Sequence, residues 1–191
     1  MARGLPRTLQ RAAMRQLGKP VPKAGLACKV SGQGGAYRLD FTFTNMKVTV
    51  TDALAYASQK LFDFVEGKIR IKGGTGTFTF GVDTARASTI NDSASLTWGI
   101  GSAAASSATL ATTMQNIINT VTRTLTGAVA APSPASPADV VGTAITLDGT
   151  STAVDLFMNF AFATGTDIDG DGILSVNGKL TLFVENWGDN A

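Results

Sequence analysis

Three observations predict an all-β protein, a sandwich or barrel of antiparallel strands. About eight stretches alternate apolar and polar residues, the period of two that a half-buried strand shows. Turn signals separate them roughly every 8–15 residues. The composition is rich in small residues, with 7% aromatics and 16% charged residues against about 25% in typical soluble domains. Such a chain is expected to turn many of its surfaces toward other subunits.

At 191 residues the chain is one domain, or one domain plus an arm, and long enough to bury a core without disulfides or metal. The boundaries read from it are a basic arm with a Gly-rich connection over 1–37 and a β-sandwich over 38–191. The single cysteine, Cys28, excludes an intrachain disulfide framework. The chain has no histidine, which removes Ser-His-Asp and Cys-His chemistry and His-ligated zinc. No apolar run approaches the roughly 18 residues of a membrane helix, so no membrane partner is expected. Arg and Lys interrupt every apolar stretch near the N-terminus, leaving no secretory core.

The first element is the arm. Residues 1–38 hold eight basic residues and no acid, and residues 39–191 hold eight basic and fourteen acidic ones. A +8 segment thus precedes a −6 body, the asymmetry of a tail that binds something acidic. Arg3, Arg7, Arg11 and Arg15 recur every four residues and would line one side of a helix ending at Gly18 and Pro20, with Lys19 and Lys23 beyond. A helix this short is marginal alone, so the arm is expected to order on a partner. Three readings of it stay open: a phosphate-neutralising nucleic-acid arm, a mitochondrial transit peptide, and a docking arm laid across a neighbouring subunit.

Ala27 to Gly35 reads as a connection. Its Gly32-Gln33-Gly34-Gly35 lacks the Lys-Ser/Thr ending of a phosphate loop, and no helical pattern follows. Arg38 to Asp52 is the first body strand, with a parity switch near Asn45 that predicts a bulge or short turn. Ala53 to Asp63 reads as a loop with one helical turn. Val65-Glu66-Gly67 is a turn, and two strands follow, Lys68 to Lys72 and Thr75 to Val82, around Gly73-Gly74. Lys68, Arg70 and Lys72 give the first of these a basic face.

Ser93 to Gly101 is a strand with Leu96 and Trp98 inward. Met114, Ile117, Ile118 and Val121 have helical spacing and predict a short helix over 114–124. Ala128 to Ala138, rich in Ala and Pro, is a surface loop. Val140 to Leu147 is a strand. Ser151 to Trp187 reads as strand, turn, strand, turn, strand: Val154, Leu156, Met158, Phe160 and Phe162 share one face, and Asn177-Gly178 between alternating runs signals a hairpin.

One motif resembles a metal site. Asp167, Asp169 and Asp171, closed by Gly172, match the opening of an EF-hand calcium loop. The twelfth position is Gly178 instead of a bidentate glutamate, and no helices flank the loop, so the reading favoured here is an acidic solvated loop. No cofactor, metal or catalytic residue is expected.

Several stretches taken together resemble the jelly-roll decoration, or cement, proteins of tailed bacteriophage capsids. They are Val48 to Ser58, Asp63 to Gly67, Leu147 to Ala153, Phe157 to Ala161, Leu174 to Gly178 and Asn186 to Asn190. The likeness covers roughly residues 38–190 and rests on a general pattern. It implies an antiparallel jelly-roll sandwich with an extended basic N-terminal arm, no enzymatic activity, and a place in the virion on the outer capsid surface. There such proteins often form homotrimers that tie major capsid protein subunits together. The arm and the Pro-rich loop are not assigned by the resemblance. Two other classes compete: a small viral coat protein whose arm binds the packaged genome, and a carbohydrate-binding module using the calcium loop. The arginines are spaced by apolar residues, which suits a protein groove better than nucleic acid. Few aromatics are available for a sugar platform.

Overall fold

A computed structural model describes residues 17–51, 53–82, 90, 94–125, 139–140, 144–163, 168 and 171–188. Eleven strands run through them: β1 Gly18–Pro20, β2 Leu26–Gln33, β3 Ala36–Val50, β4 Tyr56–Phe64, β5 Gly67–Val82, β6 Ser95–Gly101, β7 Ile118–Thr124, β8 Asp139–Val140, β9 Ile145–Gly149, β10 Asp155–Ala161 and β11 Gly172–Gly188. They form a five-stranded sheet in the order β1-β4-β10-β6-β7 and a six-stranded sheet in the order β2-β3-β11-β5-β8, with β9 also beside β5.

The pairing is nested. β3 pairs with β11, β4 with β10, β5 with β9 and β6 with β7, every pair antiparallel. The chain is thus one long hairpin, its first strand against its last, rolled so that successive pairs alternate between sheets. That is a jelly roll, and it has the expected number of strands, eight. β1, β2 and β8 are additions at the sheet edges.

Inward parity builds the core. Leu39, Phe41, Phe43, Met46, Val48 and Val50 on β3 face Leu174, Val176, Leu180, Leu182 and Val184 on β11, all buried. Rings lock the sheets together. Phe41 meets Phe62 edge-on at 6.4 Å, Phe78 meets Trp98 at 4.9 Å, and Phe80 meets Phe160 at 6.2 Å. Such pairs add about 0.5–1.5 kcal/mol each beyond area burial.

The bulge expected near Asn45 is present. Asn45 has φ 51°, and β3 places Thr44 and Asn45 opposite Asn177 alone. The Asn45 N–H donates to Asn177 Oδ1 at 2.8 Å, and Ser175 Oγ donates to Asn45 Oδ1. β6 and the Val65–Glu66 link also lie where the pattern put them.

Five expectations are corrected. Asn177-Gly178 is no hairpin turn: β11 runs unbroken through it, paired with β3 on one side and β5 on the other. A turn there would forfeit both ladders. Gly73-Gly74 likewise lies inside one continuous β5. The Ala53 to Asp63 stretch holds β4, disguised because Leu61, Phe62 and Phe64 are all buried and the register slips against β10 between Leu156 and Phe157. The helix expected over 114–124 is a 3-10 turn, Thr112–Met114, followed by β7. The Gly-rich connection is mostly β2, and Gly34-Gly35, with φ 63° and 88°, is the two-residue turn into β3. Val140 to Leu147 falls in β8 and β9, with 141–143 outside the described residues. The loop 128–138 also lies outside them.

Candidate functional site

The arm residues Arg3, Arg7, Arg11 and Arg15 lie outside the described residues, as do Asp167 and Asp169 of the acidic loop. Asp171 is exposed just before β11. Among the described residues no group of three His, Cys, Asp or Glu side chains is placed to hold a metal ion.

The root of the arm is described, and it is fixed to the body. Leu17 is fully buried and its carbonyl accepts from the Val65 N–H at 3.2 Å. Gly18, at φ 124°, has no room for a Cβ against the Asp63 carbonyl. β1 then pairs Gly18, Lys19 and Pro20 with Phe64, Asp63 and Phe62 at the edge of the five-stranded sheet. The sixteen residues ahead of Leu17 could span at most about 55 Å fully extended. Lys23 sits in the turn into β2, where its carbonyl accepts from the Leu26 N–H.

Lys19 is brought beside a charged cluster that the sequence did not reveal. Lys60 Nζ bridges Asp63 Oδ1 on its own strand and Asp155 Oδ2 at 2.9 Å on β10. The Lys60 hydrogen bond, outweighing burial, holds the Asp63 carboxyl below its usual range, with the Lys60 and Lys19 charges adding to it. The same two carboxylates raise the Lys60 ammonium. A lowered folded pKa gives stability that is complete above the unfolded value and is lost as pH falls through the folded one. Asp63→Asn is therefore expected to flatten the loss of thermal stability from about pH 5 downward. An unchanged acid limb in a melting series would contradict that role.

The outer faces of the two sheets differ. On the five-stranded sheet the segment between β6 and β7 folds back over β6 and β10. Gly99 and Gly101 make room for it: a Cβ at Gly99 would lie 3.2 Å from Gln115 Cβ, and one at Gly101 would run into Thr113 and Met114. Asn159 pins it. Fully buried on the outward parity of β10, it accepts from Ser58 Oγ at 2.6 Å and the Ala105 N–H at 3.0 Å. It donates to the carbonyls of Ala103 at 2.9 Å and Met114 at 2.7 Å. Every hydrogen-bonding group of its amide is used, as burial requires.

No segment among the described residues covers the outer face of the six-stranded sheet in this way. Thr42, Thr75, Thr77 and Thr181 lie on its polar parity, and Phe183 and Trp187 are about half exposed there. The sequence carried a signal for Phe183, an aromatic on the polar parity between Leu182 and Val184. Arg38 bridges Asp40 at 2.8 Å, and Thr181 Oγ1 also donates to Asp40. Cys28 on the flanking β2 is no nucleophile at neutral pH: burial, helped by the Asp40 charge, pushes its thiol up to about 12.

This is a set of surfaces and a tethered basic segment. Its described polar clusters are ion pairs and loop clamps, and their chemistry is that of holding segments of the chain together.

No protein-family model and no curated protein matches the chain. Among solved structures it is similar to a chain of the infectious bursal disease virus Gt strain, at 12% identity and TM-score 0.38, over 91% of this chain and 39% of that one. It is also similar to a chain of the cyanophage Pam1 capsid asymmetric unit, at 19% identity and TM-score 0.34, over 90% and 94%. A third is the enzymatically active domain of a bacteriophage tailspike protein, at 11% identity and TM-score 0.24, over 91% and 20%. With scores this low, the fold assignment rests on the nested strand pairing itself.

Proposed function

We propose that this protein is a structural virion component without enzymatic activity. It decorates and cements the outer surface of an icosahedral phage capsid, binding between major capsid protein subunits as a homotrimer. The observation that carries the reading is the pairing of an eight-strand jelly roll with a basic arm whose root, β1, is locked onto β4. A rigid body with a tethered segment can sit on one subunit and reach another, the arm ordering as it docks. Arg3, Arg7, Arg11, Arg15, Lys19 and Lys23 would meet an acidic capsid surface. The resemblance of several stretches to phage cement proteins supports the outer location.

Cosedimentation with expanded phage heads lacking this protein tests the reading. The full chain is expected to pellet with the heads. Removing residues 1–16 leaves β1 intact and should weaken binding severalfold or more, with charge steering lost at high salt. Retention unchanged by the deletion would make the arm a bystander. The four arginines without a single acid in 1–16 also favour a second reading, a coat protein whose arm binds the packaged genome. That reading predicts no head binding and a salt-dependent shift of nucleic acid.

A further inference from the structure

Two exposed rings stand among a surplus of cations on the outer face of the six-stranded sheet. Phe183 of β11 turns outward between buried Leu182 and Val184 and is 49% exposed. Glu185 and Trp187 follow at alternate positions. Trp187 is 44% exposed, with the Arg70 guanidinium 5.3 Å from its ring centroid. Opposite Phe183 on β5 is Gly73, where an added Cβ would meet no atom within 4 Å, and a hollow of about 350 Å³ opens beside the ring. Aromatic residues and arginine are the types enriched at the centres of protein interfaces.

Each acid near the rings is flanked by two cations. Lys72 pairs with Glu185 at 3.0 Å, and Arg70 lies within electrostatic reach of the same carboxylate. Arg38 pairs with Asp40 at 2.8 Å, and Lys29 lies within reach of that one. Four cations thus surround two acids, a surplus of two. Lys179 on β11 adds a further cation, while Lys68 faces Asp148 across β5 and β9 and the two offset. Without the four arginines of the arm, the chain holds twelve basic and fourteen acidic residues, so the surplus is local to this face. β1 and β2, joined by residues 21–25, set the root of the arm and Lys29 along one edge of the sandwich. Arm and face can therefore engage one partner.

We infer that this face docks the body onto an acidic patch of the partner protein that the arm also meets, with an apolar side chain of the partner entering the hollow beside Phe183. The surplus cations supply the complementary charge, and Phe183 and Trp187 supply the apolar centre. Nucleic acid fits the face less well. Bases stacked on Phe183 and Trp187 would carry their phosphates past Glu185, which lies between the two rings on β11. The carboxylates of a protein stand singly and can meet Lys29 and Arg70 without crossing it. The inference rests on the capsid-binding part of the proposed function and adds which side of the body faces the shell.

Cosedimentation of the full chain with expanded phage heads lacking this protein tests it. The wild type is expected to pellet with the heads. Phe183→Ser removes the outward ring. Lys29→Glu combined with Lys72→Glu reverses one cation beside each acid. Each of these two variants is expected to bind the heads about tenfold or more weakly, with the circular dichroism of the fold retained. Arg123→Glu reverses a charge on β7 of the other sheet and is expected to bind as the wild type does. If Phe183→Ser fails to fold, the charge variant decides alone. A wild type that stays in solution overturns both the inference and the cement reading. A wild type that pellets, with folded face variants that pellet equally well, overturns the inference alone. In that case a single-stranded DNA shift lost in the charge variant assigns the face to nucleic acid, and self-association lost in sedimentation equilibrium assigns it to a second copy.

Discussion

Asn159→Leu is expected to destabilise the protein by about 3 kcal/mol, because it removes the polar clamp on the segment between β6 and β7 while keeping the volume. The carbonyls of Ala103 and Met114 lose their donor, and the Ala105 N–H keeps only Ser58 Oγ, at 2.7 Å. Each buried group left unpaired costs about 1–3 kcal/mol. For a domain of this size that lowers the melting temperature by about 6–12 °C. Asn159→Asp should be worse. It keeps an acceptor for Ser58 and Ala105 but sets a carboxylate oxygen against two carbonyls. Hydrogen exchange should then speed up across 102–117 before the rest of the sandwich opens. A melting temperature unchanged by Asn159→Leu would mean that the segment is not held by this amide.

Gly178→Asn is expected to prevent folding or to cost more than about 4 kcal/mol, placing it among the severe single substitutions. Gly178 has φ 143°, and a Cβ there would run into the Thr77 carbonyl and lie 2.9 Å from Phe78 Cα. Those atoms belong to the neighbouring strand, so any side chain meets them. The choice of asparagine separates two structures. In an exposed type I′ turn asparagine tolerates positive φ and would cost little. In the continuous β11 it carries the same forbidden Cβ as any other residue. Gly34→Asn is the control, since Gly34 has φ 63° in a true two-residue turn and a Cβ there would meet no atom within 4 Å. Denaturant unfolding of soluble Gly178→Asn with near-native stability would restore the hairpin and remove the long central strand.

The contrast between these two glycines shows what was legible in the sequence. Alternation in Leu156, Met158 and Phe160 was plain because one face of β10 packs on the core. The burial of Asn159 on the opposite parity was not, because the segment that covers it lies some fifty residues away in the chain. The Asn-Gly signal at 177–178 is local and was overruled by two partner ladders that only the tertiary fold supplies. β4 and β7 were hidden for a different reason. Leu61 with Phe62, and Ile117 with Ile118, are buried in succession, which breaks the period of two. Of the site, the basic character of Lys19 and Lys23 could be read directly. The placement of Lys19 beside the Lys60–Asp63–Asp155 cluster depends on how β1 returns to the sheet edge.

The central claim, a cement on the outside of a phage head, is tested most directly by cryo-electron microscopy of expanded heads after addition of the purified protein. The account predicts jelly-roll density at the outer three-fold positions between major capsid subunits, with the basic arm running along the shell onto a neighbour. An undecorated outer surface, with the protein retained on the packaged or free nucleic acid instead, would contradict it.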